Sequence, residues 1–259
     1  MKSLIILTVL LAFAASQKEI NPLDERSISS AVVEVIEGLR DEMPCGFPAI
    51  GIPPLAPLKL NHKELNINFL GLNLNGAVDK FRLTGLNDFE IAEMKVNALA
   101  SKVIFRFIFY NISVDTMYDI QARLRQAGLT VNLIGAGHAN FAVKDMHIWG
   151  VLKYSFNLIS GKLKIKGLEI RTHIGDVESD IQGILGTGLI NRKMNALLSE
   201  AVELLVNTNE DMITENVEAL AVPIINSFLD KFTVGDIVGA IGGGGEGEKE
   251  PCKPEEVEN

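Results

Sequence analysis

Side chains able to do covalent chemistry are few in this chain of 259 residues, and their spacing assembles no recognisable site. The four histidines, His62, His138, His147 and His173, fall in strand-like stretches. No pair has the i, i+4 spacing with an intervening Glu that turns one helix face into a zinc site. No Gly-x-Ser-x-Gly elbow presents a nucleophilic serine. Gly135-Ala136-Gly137 lacks the third glycine of a dinucleotide fingerprint, and Gly161-Lys162 lacks the upstream glycine and the hydroxyl residue of a phosphate loop. These gaps argue for a protein that is not an enzyme and takes no cofactor or metal. A triad gathered in space from distant residues is the alternative that no motif search reaches.

Three further positions could be modified. Asn111-Ile112-Ser113 is a glycosylation sequon inside a strand-like stretch. Cys45 and Cys252 are the two cysteines, and outside the cell they could pair and close a very long loop, with a chain-entropy gain of up to about 5 kcal/mol. In the competing reading Cys252, surrounded by glutamates near the C-terminus, is free or bonded to another molecule.

The compartment follows from the N-terminus. Lys2 precedes the apolar run Leu4 to Ala15, and Ala14 and Ser16 stand at −3 and −1 of a cut before Gln17, which reads as a secretory signal peptide over residues 1–16. Such a run makes about 18 Å of helix, short of the roughly 30 Å hydrocarbon core. The mature protein is therefore expected to be secreted and extracellular, with no stable membrane anchor. The composition, 47% apolar and 22% charged, supplies a sizeable core, and the formal charge of −9 argues against nucleic acid as a partner. Residues 17–241 are expected to form one domain, and the Gly-rich, acidic residues 242–259 a disordered tail.

Between these ends the period of the apolar residues changes twice. Ile28, Val32, Ile36, Leu39 and Met43 lie on one stripe of a helix predicted from Asp24 to Met43. Five prolines between Pro44 and Pro57 then demand an extended strap. From Leu58 to about Gly175 the period falls to 2, with strands predicted over Val103–Tyr110, Thr116–Arg125, Thr130–Phe141, Val143–Phe156 and Lys162–His173. The apolar positions change parity after Gly71 and again after Gly167, which reads as bulges or bends in a curved sheet. From Gly188 the helical period returns over Leu189–Val206. A second helical pattern runs from Ile213 to Phe232, with a kink expected at Pro223.

The class is α+β, and the apolar material is concentrated on extended strands and two or three helices. Phe105, Phe107 and Phe109 form one face of a strand; Val32, Ile36 and Leu39 lie on the first helix; Leu197, Leu198, Val202 and Leu205 lie on the long one. Each is either ordinary core or the lining of an apolar cavity, and periodicity does not choose between the two. Tyr154, Thr172 and Asn191 could bond a ligand's polar head group. Lys162, Lys164 and Lys166 share one strand face, most simply its solvated side.

The segment Cys45-Gly46-Phe47-Pro48 to Gly51-Ile52-Pro53-Pro54-Leu55-Ala56-Pro57-Leu58, after a helix and before Gly-punctuated strands, resembles the insect takeout and haemolymph juvenile-hormone-binding family. Gly188-Leu189-Ile190-Asn191-Arg192-Lys193-Met194-Asn195 looks like the start of its long helix. The resemblance implies a strongly curved antiparallel sheet wrapped around a long helix and enclosing an apolar tunnel. It also implies a secreted carrier of a small hydrophobic ligand such as a terpenoid hormone, a fatty acid or a similar lipid. Members of the family usually pair two cysteines near the N-terminus, and Cys45 has no such near partner. A receptor for the loaded carrier is a further possible partner. The alternative is a secreted interaction or innate-immune protein recognising microbial lipid, or a scaffold with a closed core.

Overall fold

The computed structural model of the chain describes residues 25–48, 51–69, 72–126, 129–157, 159–183, 189–233 and 236. The signal peptide, Cys252 and the tail expected from the sequence all lie outside these residues.

Helix α1 (Glu25–Glu42) turns the expected stripe inward, and Ile28, Val32, Ile36, Leu39 and Met43 are all at 5% exposure or less. The proline strap that follows is not extended throughout, as the sequence suggested. The Phe47 N–H donates to the Ile52 carbonyl and the Ile52 N–H to the Phe47 carbonyl, while the Leu55 N–H reaches back to the Met43 carbonyl. Gly46 makes this fold-back possible: it sits at φ +73°, and a Cβ there would lie 2.4 Å from the Pro53 carbonyl carbon. Phe47, Ile52 and Leu55 are thereby buried against the end of α1.

The described sheet has six antiparallel strands: β1 (Leu58–Phe69), β2 (Leu72–Thr84), β3 (Phe89–Asn97), β4 (Lys102–Gln126), β5 (Leu129–Asn157) and β6 (Lys162–Ile181). Their order is β1-β2-β4-β5-β6, and β3 shares one edge of β4 with β2. Four of the predicted segments merge into two very long strands, β4 of 25 residues and β5 of 29. The predicted breaks are parity changes rather than ends. Opposite one another, Tyr110-Asn111, Lys144-Asp145 and Gly175-Asp176 interrupt the alternation in three adjacent strands, while the pairing register on either side continues unbroken. Asp145 takes φ +51°, and Gly175, with no Cβ, leaves room for its side chain. A strand that meets a left-handed residue can thus flip its faces and go on.

The parity change at Gly167 is confirmed as a bulge, where the register shifts opposite Lys153 and Tyr154 and the burial alternation of β6 slips by one residue. The change expected at Gly71 lies outside the described residues; on either side of it β1 ends at Phe69 and β2 begins at Leu72, and these two residues pair.

Helices α2 (Leu189–Thr208) and α3 (Glu210–Leu229) pack along β6, and α3 continues through Pro223. Their polar side chains take the place of a missing strand on the outer edge of β6. Asn226 accepts from the Ile165 N–H at 2.8 Å and donates to the Ile165 carbonyl at 2.9 Å; Asn207 does the same at Ile174 (2.9 and 2.9 Å) and Asn195 at Ile181 (2.9 and 3.2 Å). Glu218 accepts from the Leu168 N–H at 3.1 Å, and the Thr214 hydroxyl donates to the Ile170 carbonyl. An unpaired edge is an aggregation hazard, and an amide side chain has the donor and acceptor of a peptide group. The architecture is therefore α+β, with a curved sheet that does not close on itself.

Candidate functional site

The inner face of the sheet carries transverse rows of side chains set by the strand register. One row is Phe89, Phe109, Met146 and Ile174; the next is Ile91, Phe107, Ile148 and Thr172; the third is Met94, Phe105, Gly150 and Ile170. Helix α1 covers one end of this face, and its stripe joins Phe89, Phe105 and Phe109 in the main core cluster. Phe89 meets Phe107 edge to face, with ring centroids 5.5 Å apart. A second, smaller cluster lies beyond the parity change, where Val78, Tyr118 and Ala122 are buried and Leu198 of α2 packs against them.

Coverage along this face is uneven. Phe107, Met146, Ile148 and Ile91 pack against the main cluster but are only partly buried. Gly150 gives the face no side chain at its position. Within the middle row, Thr172 stands where an apolar residue would complete the pattern. It is 8% exposed, and among the described residues its hydroxyl is the one buried side-chain oxygen or nitrogen without a hydrogen-bond partner.

Other polar groups on this side are engaged. The Tyr118 hydroxyl donates to the Gln182 carbonyl at 2.5 Å, and burial pushes its pKa up. Burial does the same to Tyr154. The Ser179 hydroxyl donates to the Asn195 carbonyl at 3.0 Å.

The sequence candidates separate into distinct groups. Val32, Ile36, Leu39, Phe105 and Phe109 are packed core, and Phe107 is the one of the strand trio that stays partly open. On α2, Leu198 joins the second cluster and Val202 is half-buried, while Leu197 is 60% exposed. The side chains of Leu205 and Asn191 lie outside the described residues. Asn111 is exposed at the point where β4 passes from pairing with β3 to pairing with β2. Cys45 follows α1 in a turn closed by its N–H to the Glu42 carbonyl at 3.1 Å, and among the described residues no cysteine is free.

The histidines do not converge on a metal. His62, His138 and His147 each meet an aspartate, at 2.7, 2.8 and 2.9 Å, and His173 stacks edge to face on His147. Among the described residues no group of three or more His, Cys, Asp or Glu could hold an ion. A cleft of about 420 Å³ beside Trp149 mixes the charged Glu93, Glu169, Arg171, Asp211 and Glu215 with the apolar Ile104, Phe105 and Val151. Lys162, Lys164 and Lys166 are the solvated side of β6, alternating with buried Leu163 and Ile165. Sequence reading did not single out Ile91, Met146, Ile148 or Gly150. The periodicity marks them as apolar strand positions, but the cross-strand register that joins them into a row is tertiary information.

The family model described as haemolymph juvenile hormone binding protein (JHBP) matches residues 4–239. The chain belongs to this family. It is a family of binding proteins. Among solved structures, the chain is similar to the crystal structure of Takeout 1 from Epiphyas postvittana, with a TM-score of 0.56 and 15% sequence identity over 80% of this chain and 94% of that one. That likeness is one of fold, and the curved α+β sheet is shared. A crystal structure of lipopolysaccharide binding protein aligns with a TM-score of 0.31 and 16% identity, over 75% of this chain and 40% of the other. No curated protein matches the chain.

Proposed function

We propose that the protein is a secreted carrier that takes up a small hydrophobic ligand, a terpenoid, fatty acid or similar lipid, in a tunnel along the inner face of its sheet. The observation that carries this reading is the run of partly covered apolar side chains around Phe107, Met146 and Ile148, in a chain of the JHBP family. Each methylene moved from water contributes about 0.8 kcal/mol, so ten supply roughly 8 kcal/mol before ordering costs, enough for a micromolar Kd at best. No bond has to be made or broken, and no enzymatic step is part of the reading.

Residues 1–16 direct secretion and are removed, residues 17–241 act as one carrier domain, and residues 242–259 form a tail. Cys45 pairs with Cys252, and Asn111 carries a glycan. No described helix is long and apolar enough to cross a membrane. Native mass spectrometry of the protein purified from its own fluid, followed by solvent extraction, is the test. A stoichiometric lipid-like adduct is expected; delipidated protein that takes up no fatty acid, terpenoid or apolar fluorophore would end the reading.

A further inference from the structure

We infer that the end of the sheet formed by the β3–β4 and β5–β6 turns docks on a lipid bilayer that carries anionic headgroups. Two separate stretches of chain build the same turn there. Asn97-Ala98-Leu99-Ala100-Ser101-Lys102 and Asn157-Leu158-Ile159-Ser160-Gly161-Lys162 both read Asn-x-aliphatic-x-x-Lys. In each, the Asn side chain accepts from the N–H three residues on, at 2.6 Å from Ala100 and 3.1 Å from Ser160, and the fifth residue is left-handed, Ser101 at φ +49° and Gly161 at φ +64°. An Asn bonded in this way to its own following backbone fixes the loop. The residue it holds out is Leu99 in one turn and Ile159 in the other. At 81% and 99% exposure they are the two most exposed large apolar side chains among the described residues. The turns share one end of the sheet, since Lys102 pairs with Lys153 and the Tyr154 N–H donates to the Ser101 carbonyl at 2.9 Å. With strands about 4.8 Å apart, the two apexes are separated by two strands, or roughly 10 Å.

The charge behind these apexes identifies the partner. The chain has 33 Asp and Glu against 24 Lys and Arg, yet residues 94–105 and 153–168 hold six lysines, Lys95, Lys102, Lys153, Lys162, Lys164 and Lys166, and no acidic residue. Lys164 and Lys166 are exposed on β6, and the carboxylates that pair with Lys95 and Lys153, Glu93 and Glu169, are set further back from the turns. An open groove of about 700 Å³ beside the second turn is lined by Phe156, Ile159, Lys162 and Lys164, with Asp230 as its one carboxylate. Aliphatic tips backed by lysines match the layering of a bilayer surface, where hydrocarbon lies just beneath the phosphates. The same surface repels the acidic remainder of the molecule, so attachment is oriented and reversible. The site does not depend on the carrier reading, but it serves it: Ala98 and Phe156, beside the two turns, pack against the main core cluster, so docking brings that end of the core to the source of an insoluble ligand.

The test is flotation of the full-length secreted protein with vesicles of phosphatidylcholine alone or mixed with phosphatidylserine. The wild type is expected to bind the mixed vesicles in preference to the neutral ones, and to lose affinity by about tenfold or more as salt is raised. L99S/I159S should lower the affinity by about tenfold, and K164E/K166E by about 25-fold or more, at about fivefold for each lysine near an anionic surface. K59E/K63E makes the same change in net charge on exposed β1, whose Lys59 and Lys63 lie in register, through Arg82 and Val78, with Asp115 and Tyr118, far along β4 from Lys102. It should bind nearly as the wild type does. All three variants should melt with the wild type, because every replaced side chain is exposed. No binding to the mixed vesicles, equal binding to both compositions, turn variants that bind as the wild type does, or a loss in K59E/K63E as large as in K164E/K166E would each overturn the docking site. So would a wild-type dimer that L99S/I159S turns into a monomer, because a second copy would then be what covers the tips.

Discussion

Leu39, Val32 and Ile36 are as apolar as any tunnel lining, yet at 2, 0 and 2% exposure they are sealed by protein atoms. Shortening such a residue removes packing rather than ligand contact. Leu39→Ala should therefore cost about 2–5 kcal/mol in denaturant unfolding, with or without lipid, and leave the affinity of the folded fraction near wild type. The tyrosines give a residue-level response to pH. All three have raised pKa values, Tyr118 and Tyr154 through burial and Tyr110 chiefly through donating to the Glu90 carboxylate. A folded pKa above the ordinary 10.0 means that the unfolded chain ionises first. Their contribution is complete below pH 10 and is lost as pH rises through the folded values. Tyrosinate absorbance at 295 nm should rise together with loss of fold above pH 10, and Tyr118→Phe should reduce that alkaline sensitivity.

At the scale of elements, the C-terminal helices do for β6 what another strand would do. Removing the amide in Asn207→Ala or Asn226→Ala leaves a part-buried N–H and carbonyl on the strand edge without partners. Each substitution should cost about 1–3 kcal/mol and speed hydrogen exchange at Ile174 or Ile165 respectively, and protected amides in the variants would contradict this role. The turn after β2 is equally constrained. Gly85 sits at φ +86°, where a Cβ would fall 1.9 Å from the Asn111 carbonyl oxygen, so β2 can leave the edge of β4 and β3 take its place only with glycine there. Gly85→Ala should lower Tm by several degrees, corresponding to about 1–3 kcal/mol of strain.

For the whole molecule, an open sheet capped by helices leaves its inner face as the natural place for an apolar guest, which is consistent with a family of binding proteins. Pairing of Cys45 with Cys252 would tie the end of α1 to the far C-terminus. The secreted protein, denatured without reductant, should show no thiol reactive to Ellman's reagent, and two after reduction. One thiol or more before reduction would refute the pairing.

Much of this molecule was legible locally. The α1 stripe, the bulge at Gly167 and the alternation of β6 are properties of consecutive residues, because helix and strand periods put every third or fourth, or every second, side chain on one face. The proline strap from Cys45 to Leu58 and the start of the long helix sufficed for the family, although the cysteine pattern departs from it. Local pattern failed where continuity depended on a neighbour: β4 and β5 read as broken because their parity flips, whereas hydrogen bonds to adjacent strands carry them through. The same limit governs the site. Sequence named Phe105, Phe107 and Phe109 together, and it named Thr172 as one of three polar candidates. Only the register across four strands puts Phe107 and Thr172 in one row, seals Phe105 and Phe109 in the core, and leaves a hydroxyl without a partner. Burial and hydrogen-bond satisfaction are properties of what lies across from a residue, and strand pairing decides that over separations of tens of residues.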